Sequence, residues 1–325
     1  MKKLIIMASS LAAAMFSTSA AKADVSVSGS YGLHMVSGGN AYNGSAKDLS
    51  AQSGTNAVLM QGGGVAFALS TTTAGGMSVS AGAGITLDSN DMDNTTSATG
   101  LSAVTFAADG FSLTVGEIDI VAGEPGEVGA VASAVVDNGG FAAGYASPTG
   151  LLNTEGYGFN ASTTVSGATV SFGYIWDYAN AGVNNAKMSS GDYANGVSIS
   201  MPVGAATVSL GMSSQSGAKD ETATGGSISM PVGGMTVKAG YAATDESTDS
   251  STMSVAASGS LDADTTWAIG YSDGEQGTSS STALEAKLSR SLGGGVSVYA
   301  EIQSLSGSTA GSVGTNLAVG TTVAF

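Results

Sequence analysis

Along most of its length the sequence alternates between apolar and small polar residues with a period of two. From Val25 to Met35 the odd positions are apolar except Gly29, and the even positions hold Ser, Gly and His. Successive side chains of a strand point to opposite faces, so this pattern is typical of strands with one apolar face. It recurs at 77–87, 111–115, 169–176, 197–201, 208–212, 235–241, 267–271, 296–302 and 317–325, with no substantial helical period after residue 23. The sequence therefore predicts an all-β fold.

The connections between these segments alternate between short and long. The short ones are rich in Gly, Pro, Asp and Asn, which suit tight hairpin turns, and lie at 108–110, 137–140, 166–167, 202–204, 231–234, 262–264 and 293–295. The longer polar ones lie at 37–56, 88–99, 118–130, 179–192, 214–222, 244–251, 273–281 and 305–313. Strict alternation would place the tight turns at one rim of a sheet and the longer loops at the other.

Together these features predict a closed antiparallel transmembrane β-barrel of an outer membrane. Such barrels turn apolar side chains outward, with short periplasmic turns and longer outer loops. Aromatic residues near strand ends, such as Phe106 and Phe111, suit the girdles at the membrane interfaces. We expect 18 strands, or 16 if 131–136 belongs to a long inward loop; either number encloses an aqueous channel. The alternative is a secreted β-solenoid or sandwich, but its polar face would carry Lys, Glu and Arg rather than Ser, Gly, Thr and Ala.

The first 23 residues have the layout of a secretory signal peptide. Two lysines precede an apolar stretch from Leu4 to Phe16, and a small-x-small cleavage site ends at Ala23. The apolar stretch is shorter than the roughly 20 residues of a membrane-spanning helix. We therefore assign 1–23 to a signal peptide and 24–325 to one barrel domain.

The chain is strongly acidic after residue 23. Six basic residues remain there against 25 acidic ones, which gives a net charge of −19. Such a chain lacks the Lys and Arg that nucleic-acid phosphates require, and a pore that it lines would attract cations. There is no cysteine, so stability must come from hydrogen bonds and burial rather than from disulfides.

No motif indicates catalysis. His34 is the only histidine, and no nucleophile or orienting acid accompanies it in the sequence, so we expect a plain lumen-facing side chain rather than a hydrolase base. The glycines at 62–64 are not followed by a helix or a phosphate-binding lysine, which favours turns or strand kinks. We expect neither an enzyme nor a resident cofactor.

Two acidic clusters are weak candidates for Ca²⁺. Asp88, Asp91 and Asp93 mimic part of a calcium loop but lack the Gly and the distant Glu of the EF-hand pattern. A similar cluster lies within 245–249. Each is either a weak Ca²⁺ site or a solvated acidic loop.

Three segments resemble Gram-negative general porins, particularly the alphaproteobacterial type. They are DVSVSGSYGL at 24–33, GFSLTVGEIDI at 110–120 and NLAVGTTVAF at 316–325. The resemblance implies a homotrimer in the outer membrane that passes small hydrophilic solutes by diffusion. It also implies that the C-terminal Phe325 is read by the barrel-assembly machinery.

The resemblance further implies a loop that folds into the barrel and narrows it, beginning here at Glu117 or Ile118. Strand parity adds several inward-facing charges to this loop. The expected residues of the constriction and lumen are Glu117, Asp119, Glu124, Glu127, Lys238, Glu285, Lys287 and Glu301.

Many porins carry an Arg cluster on the wall opposite the loop, whereas this chain has a single arginine, Arg290, with outward parity near a tight turn. We therefore expect a cation-preferring channel. The alternative function is a structural or adhesive barrel whose loops bind a partner; loops of about 8–20 residues favour transport.

Overall fold

The structure, a computed structural model, describes residues 23–38, 58–88, 96–99, 103–119, 155–176, 193–217, 220–245, 249–307 and 314–325. These residues form seventeen strands: β1 (Ala23–Gly38), β2 (Val58–Thr72), β3 (Ser78–Asp88), β4 (Thr96–Thr99), β5 (Val104–Ala108), β6 (Phe111–Asp119), β7 (Glu155–Val165), β8 (Ala168–Trp176), β9 (Tyr193–Val203), β10 (Ala206–Ser216), β11 (Glu221–Val232), β12 (Met235–Asp245), β13 (Ser250–Ser260), β14 (Thr265–Gln276), β15 (Ser279–Gly293), β16 (Val296–Gly307) and β17 (Gly314–Ala324). Within these ranges no helix is long and apolar enough to cross a membrane.

The strands form one closed antiparallel barrel. Each pairs with its neighbours in the chain, except that β4 and β5 both pair with β3 and not with each other, and β1 pairs with both β2 and β17. The short strands β4 and β5 pair with opposite ends of β3 and share one position in the wall. The described strands thus occupy 16 positions, the smaller of the two expected numbers. Segment 131–136 lies outside the described residues, but β6 pairs directly with β7 from Phe111 to Asp119.

The predicted alternation sets the two faces of the barrel. Apolar side chains on one parity are exposed, as in Val25 at 62%, Leu210 at 51% and Leu284 at 51%. So many large exposed apolar residues on one surface would be a liability in water but suit contact with lipid. Aromatic residues gather on this outward face near the ends of β7 to β9, where the Tyr174 and Tyr193 rings stack with centroids 6.1 Å apart. The outward face therefore has the expected apolar band, and its aromatic cluster lies at the rim opposite the tight turns rather than at Phe106 and Phe111.

The tight turns lie at one rim, together with the C-terminal end of the chain. Gly233 and Gly234 join β11 to β12 with φ of 56° and 86°, the two positive angles that a two-residue type I′ turn requires. At the β15–β16 turn, the Ala324 N–H donates to the Gly295 carbonyl at 2.8 Å, which places the end of β17 at this rim. The turn at 73–77, between β2 and β3, lies at the same rim and is absent from the predicted set.

Arg290 lies at the tight-turn rim, as its position near a predicted turn indicates. Its guanidinium donates to the Thr265 hydroxyl at 2.7 Å and lies 3.3 Å from an Asp262 carboxylate oxygen. The pKa of Asp262 is lowered, chiefly by a hydrogen bond from the Asp264 backbone N–H and then by one from the Thr265 hydroxyl. The single arginine thus closes a turn and lies away from the lumen.

The predicted lengths of three connections between β10 and β15 are wrong, because the connections are shorter than expected. Strands extend into the expected loops 214–222, 244–251 and 273–281, leaving connections of 217–220, 246–249 and 277–278. Likewise β6 continues to Asp119, so the expected loop does not begin at Glu117 or Ile118. The apolar alternation stops where the wall leaves the hydrocarbon, but the backbone can keep pairing with polar side chains on both faces.

Seven of these strands contain none of the ten alternating segments predicted from the sequence: β2, β4, β5, β7, β11, β13 and β15. In β2 the glycines 62–64 replace the apolar residues that mark a strand, yet they pair in register with β1 and β3. A Cβ at Gly63 would lie 2.5 Å from the Ser30 carbonyl oxygen, so the close approach of β1 requires glycine there. The glycine run is therefore part of a strand and forms no turn.

Cysteines introduced at the two rims should differ in their reaction with a membrane-impermeant reagent on intact cells. We expect Thr278→Cys, in the β14–β15 turn, to react with a membrane-impermeant maleimide on intact cells, because it lies at the rim opposite the tight turns. Ala205→Cys, in the β9–β10 turn, should react only after the outer membrane is permeabilised. Both positions are exposed, so labelling of Ala205→Cys alone on intact cells would show that the barrel is oriented the other way.

Candidate functional site: the wall of the lumen

Small side chains line most of the inward face. On β12 to β15 one inward row runs through Gly240, Ser254, Ser272 and Ala283, each directly opposite the next. The next inward row toward the rim opposite the tight turns consists of Ala242, Thr252, Gly274 and Ser281. These side chains are short and buried, and a barrel of 16 positions is in general wide enough to enclose an aqueous channel.

Charged side chains concentrate on β15 and β16. The register places Glu285 opposite Gln303 and Lys287 opposite Glu301. The Gln303 amide donates to a Glu285 carboxylate oxygen at 2.7 Å, and the Lys287 ammonium lies 2.7 Å from a Glu301 oxygen. Glu285 and Glu301 are only 0% and 1% exposed. Glu285, Lys287 and Glu301 therefore lie on the inward face, as strand parity predicts, and are adjacent to one another on β15 and β16.

An aromatic contact extends this group to β1. The Tyr299 hydroxyl and His34 Nδ1 form a hydrogen bond, and the Lys287 ammonium lies 5.3 Å from the centroid of the Tyr299 ring. Gly320 separates the two residues in register, and a Cβ there would lie 2.7 Å from both Tyr299 Oη and His34 Nδ1. We call His34, Glu285, Lys287, Tyr299, Glu301 and Gln303 the lumen ladder. His34 is thus a wall residue that is hydrogen-bonded to a tyrosine hydroxyl.

Lys238 stands apart from the lumen ladder. It has the predicted inward parity on β12, opposite Ser229 and Ala256, and is exposed. Its row continues through Gly270 to Glu285, three strands away, or about 14 Å at the usual spacing between strands. Among the described residues, no carboxylate forms an ion pair with Lys238. Its positive charge therefore faces the lumen without a neutralising partner in the described wall.

Two inward acids were missed by sequence reasoning. Glu221 lies on the inward face of β11, where its carboxylate accepts a hydrogen bond from the Gln215 amide. It falls inside the expected loop 214–222, so no parity was assigned to it. Asp24 shares the inward parity of Ser26 and Ser28 at the start of β1. Extending the parity of the 25–35 segment by one residue reaches Asp24, whereas no predicted segment lies on β11 to give Glu221 a parity.

The predicted constriction acids are not gathered by the described part of the barrel. Glu117 and Asp119 are exposed and share the parity of the outward Leu113 and Val115. Ile118 takes the inward position instead and is buried with Ile175 and Ala194. Glu124 and Glu127 lie outside the described residues.

Of the two calcium candidates, the cluster of Asp88, Asp91 and Asp93 lies mostly outside the described residues, whereas Asp245 and Asp249 of the second are described. Asp88 is the last residue of β3, and Asp91 and Asp93 lie outside the described residues. Within the described ranges, no group of three or more His, Asp or Glu side chains is arranged to hold a metal ion.

Comparison with known proteins identifies the family. A model of the Gram-negative porins matches residues 9–310. An anion-selective porin from Comamonas acidovorans is 13% identical, with a TM-score of 0.67 over 94% of this chain and 100% of that one. OmpT of Vibrio cholerae in its trimer form is 12% identical, with a TM-score of 0.66 over 93% of this chain and 99% of that one. OmpF of Salmonella typhi in complex with daunomycin is 12% identical, with a TM-score of 0.69 over 93% of this chain and 97% of that one. No curated protein matches the sequence significantly.

At such identities the solved structures establish the fold alone, whereas the family model spans most of the chain. The pairing of β1 with β17, the outward apolar band and the polar lumen are the features that a channel of this family needs to cross a bilayer. The chain therefore belongs to the Gram-negative porins, and its barrel lies in a bacterial outer membrane.

Proposed function

We propose that the barrel is a water-filled channel through which small hydrophilic solutes and ions diffuse passively, with a preference for cations. The observation that supports this preference is the charge of the wall. The inward ionised side chains that the structure describes comprise four acids and two bases: Asp24, Glu221, Glu285, Glu301, Lys238 and Lys287. Lys287 is paired with Glu301, which leaves Lys238 as the single wall cation of this set without an ion pair.

A confined acidic wall concentrates cations. Low-dielectric walls focus the field into the lumen and raise the local concentration of counter-ions. The sequence has no Lys or Arg between Glu117 and Lys187, so a loop containing Glu124 and Glu127 would add negative charge only. We propose that these two acids contribute to the constriction. Transport of this kind requires no cofactor, and Ca²⁺ at Asp88, Asp91 and Asp93 stays a prediction.

Assembly is part of the proposal. The OmpT structure of Vibrio cholerae is a trimer form, and we propose a homotrimer for this chain as well. We also propose that the barrel-assembly machinery reads Phe325, whose side chain is 75% exposed at the end of β17. On the side of the barrel formed by β10 to β15 an adhesive role is less favoured, because the connections at 217–220, 246–249 and 277–278 are short and offer little surface to a partner.

Liposome swelling tests the open channel. We expect liposomes that contain the purified protein to swell in isotonic solutions of small sugars, at rates that fall as the sugar becomes larger. The physical reason is that a 16-position barrel with small inward side chains leaves an aqueous path. Liposomes that contain heat-denatured protein are the control. Absence of swelling with the smallest sugar would mean that the folded barrel is closed and would contradict the proposal.

A further inference from the structure

A groove opens on the outward face of β10 to β14. It has a volume of about 650 Å³ and is bordered by Leu210, Ile228, Tyr241, Met253, Val255 and Tyr271. The groove is deep because the small residues Gly226 and Ala239 lie at its base, between these large side chains. A Cβ at Gly226 would lie 2.7 Å from Leu210 Cδ2, so the leucine already leans over the glycine. The groove is therefore a shaped apolar depression in the surface that faces the bilayer.

A second, polar cavity of about 750 Å³ continues the groove toward the rim of the longer connections. The two cavities share Thr224 and Tyr241. The second is lined by the carboxylates of Asp245, Asp249 and Glu275. Asp245 and Glu275 carry the outward parity of their strands, as Tyr241 and Tyr271 do. No described Lys or Arg lines either cavity, so an apolar slot leads directly to an acidic rim.

The environment of this surface limits what can fill it. The outward face contacts lipid, so an acyl chain is the group available along the groove. Carboxylates at the level of the headgroups repel phosphate and attract a positively charged group. The complementary ligand is thus an amphiphile with an apolar tail and a cationic head.

We propose that the groove holds the acyl chain of an outer-leaflet lipid and that the rim carboxylates hold an ammonium group in its headgroup. This site lies on the outside of the barrel and is separate from the diffusion path. It would fix one lipid to each protomer at the wall formed by β10 to β14.

The test uses amphiphiles that share a dodecyl tail and differ in the head. Native mass spectrometry of the folded protein in a neutral detergent would count bound dodecyltrimethylammonium and dodecyl phosphate. We expect one retained dodecyltrimethylammonium per protomer and weaker retention of the phosphate. Ala239→Leu fills the floor of the groove and should abolish the retained molecule, as should Gly226→Leu. Ala286→Leu is the matched control, since it adds the same leucine to the outward face of β15 outside the groove.

A second pair of variants tests the rim. Asp245→Asn with Glu275→Gln should weaken retention of the ammonium amphiphile by roughly threefold per removed carboxylate, the order expected for exposed charge pairs. Asp109→Asn, an acid at the opposite rim, should leave it unchanged. Heat-modifiable migration on gels confirms that each variant is folded before binding is measured.

Three outcomes would overturn the proposal. Equal retention by the wild type and Ala239→Leu would show that the groove does not hold the tail. Tighter retention of dodecyl phosphate would exclude the ammonium. Loss of the oligomer in Ala239→Leu, with no amphiphile retained by the wild type, would assign the groove to a contact between protomers.

Discussion

Deleting Phe325 should remove most of the folded barrel, a larger loss than deletion of Ala218, a residue of the connection between β10 and β11. The Phe325 backbone forms two hydrogen bonds with Gly29, at 2.8 and 3.0 Å, which extend the pairing of β17 with β1. Each is worth about 0.5–1.5 kcal/mol in ordinary surroundings, and more where lipid offers no replacement partner. The measurement is the folded fraction seen as heat-modifiable migration on gels.

Phe325→Ala separates closure of the barrel from recognition of the ring. It keeps both backbone hydrogen bonds and removes the exposed ring that lies over Gly29, where a Cβ would come within 2.4 Å of the ring. If the assembly machinery reads the ring, Phe325→Ala should resemble the deletion in cells but refold nearly as the wild type in detergent. Unchanged yield of both variants in cells would contradict a role for Phe325 in assembly.

Glu301→Gln should produce the largest shift in ion selectivity of any single neutral substitution in the lumen ladder. It removes one wall charge and leaves the ammonium of Lys287 without its 2.7 Å partner. A unit charge about 10 Å from an ion in water contributes about 0.4 kcal/mol, which is a factor of about two in concentration for each sign of ion. The ratio of cation to anion permeability should therefore fall about fourfold. Reversal potentials in a salt gradient measure it.

Two substitutions act as controls for this result. Lys238→Gln removes an inward cation and should raise the same ratio by about the same factor. Glu117→Gln removes an acid with outward parity and should leave the ratio unchanged. A shift with Glu117→Gln would instead place Glu117 in the constriction, and an unchanged ratio with Glu301→Gln would contradict the assignment of the lumen ladder to the ion path.

The barrel was predictable because its period is simple. Alternation from Val25 to Met35, repeated along the chain, fixes which face of each strand meets lipid, and turn residues such as Gly233 fix one rim. The ends of strands were less predictable. Beyond the hydrocarbon both faces become polar, so the alternation that marks a strand stops while the backbone pairing continues, as in 273–281.

The lumen was predictable only in part. Parity along single strands found Lys238, Glu285, Lys287 and Glu301, but contacts between strands depend on register. The His34–Tyr299 hydrogen bond joins residues 265 positions apart and requires Gly320 between them, a relation that no local pattern reveals. The constriction acids depended on a family resemblance, and the parity of β6 gives Glu117 and Asp119 no inward position.

The reversal potential of the wild-type channel in a tenfold KCl gradient tests the proposed function most directly. A channel permeable only to cations would approach about 59 mV, with the sign set by K⁺ moving down its gradient. We predict a smaller potential of that sign, which weakens as the salt is raised and the Debye length falls from about 10 Å at 0.1 M to about 3 Å at 1 M. A potential of the opposite sign would mean that Lys238 dominates the ion path, and a membrane that stays non-conducting would contradict an open pore.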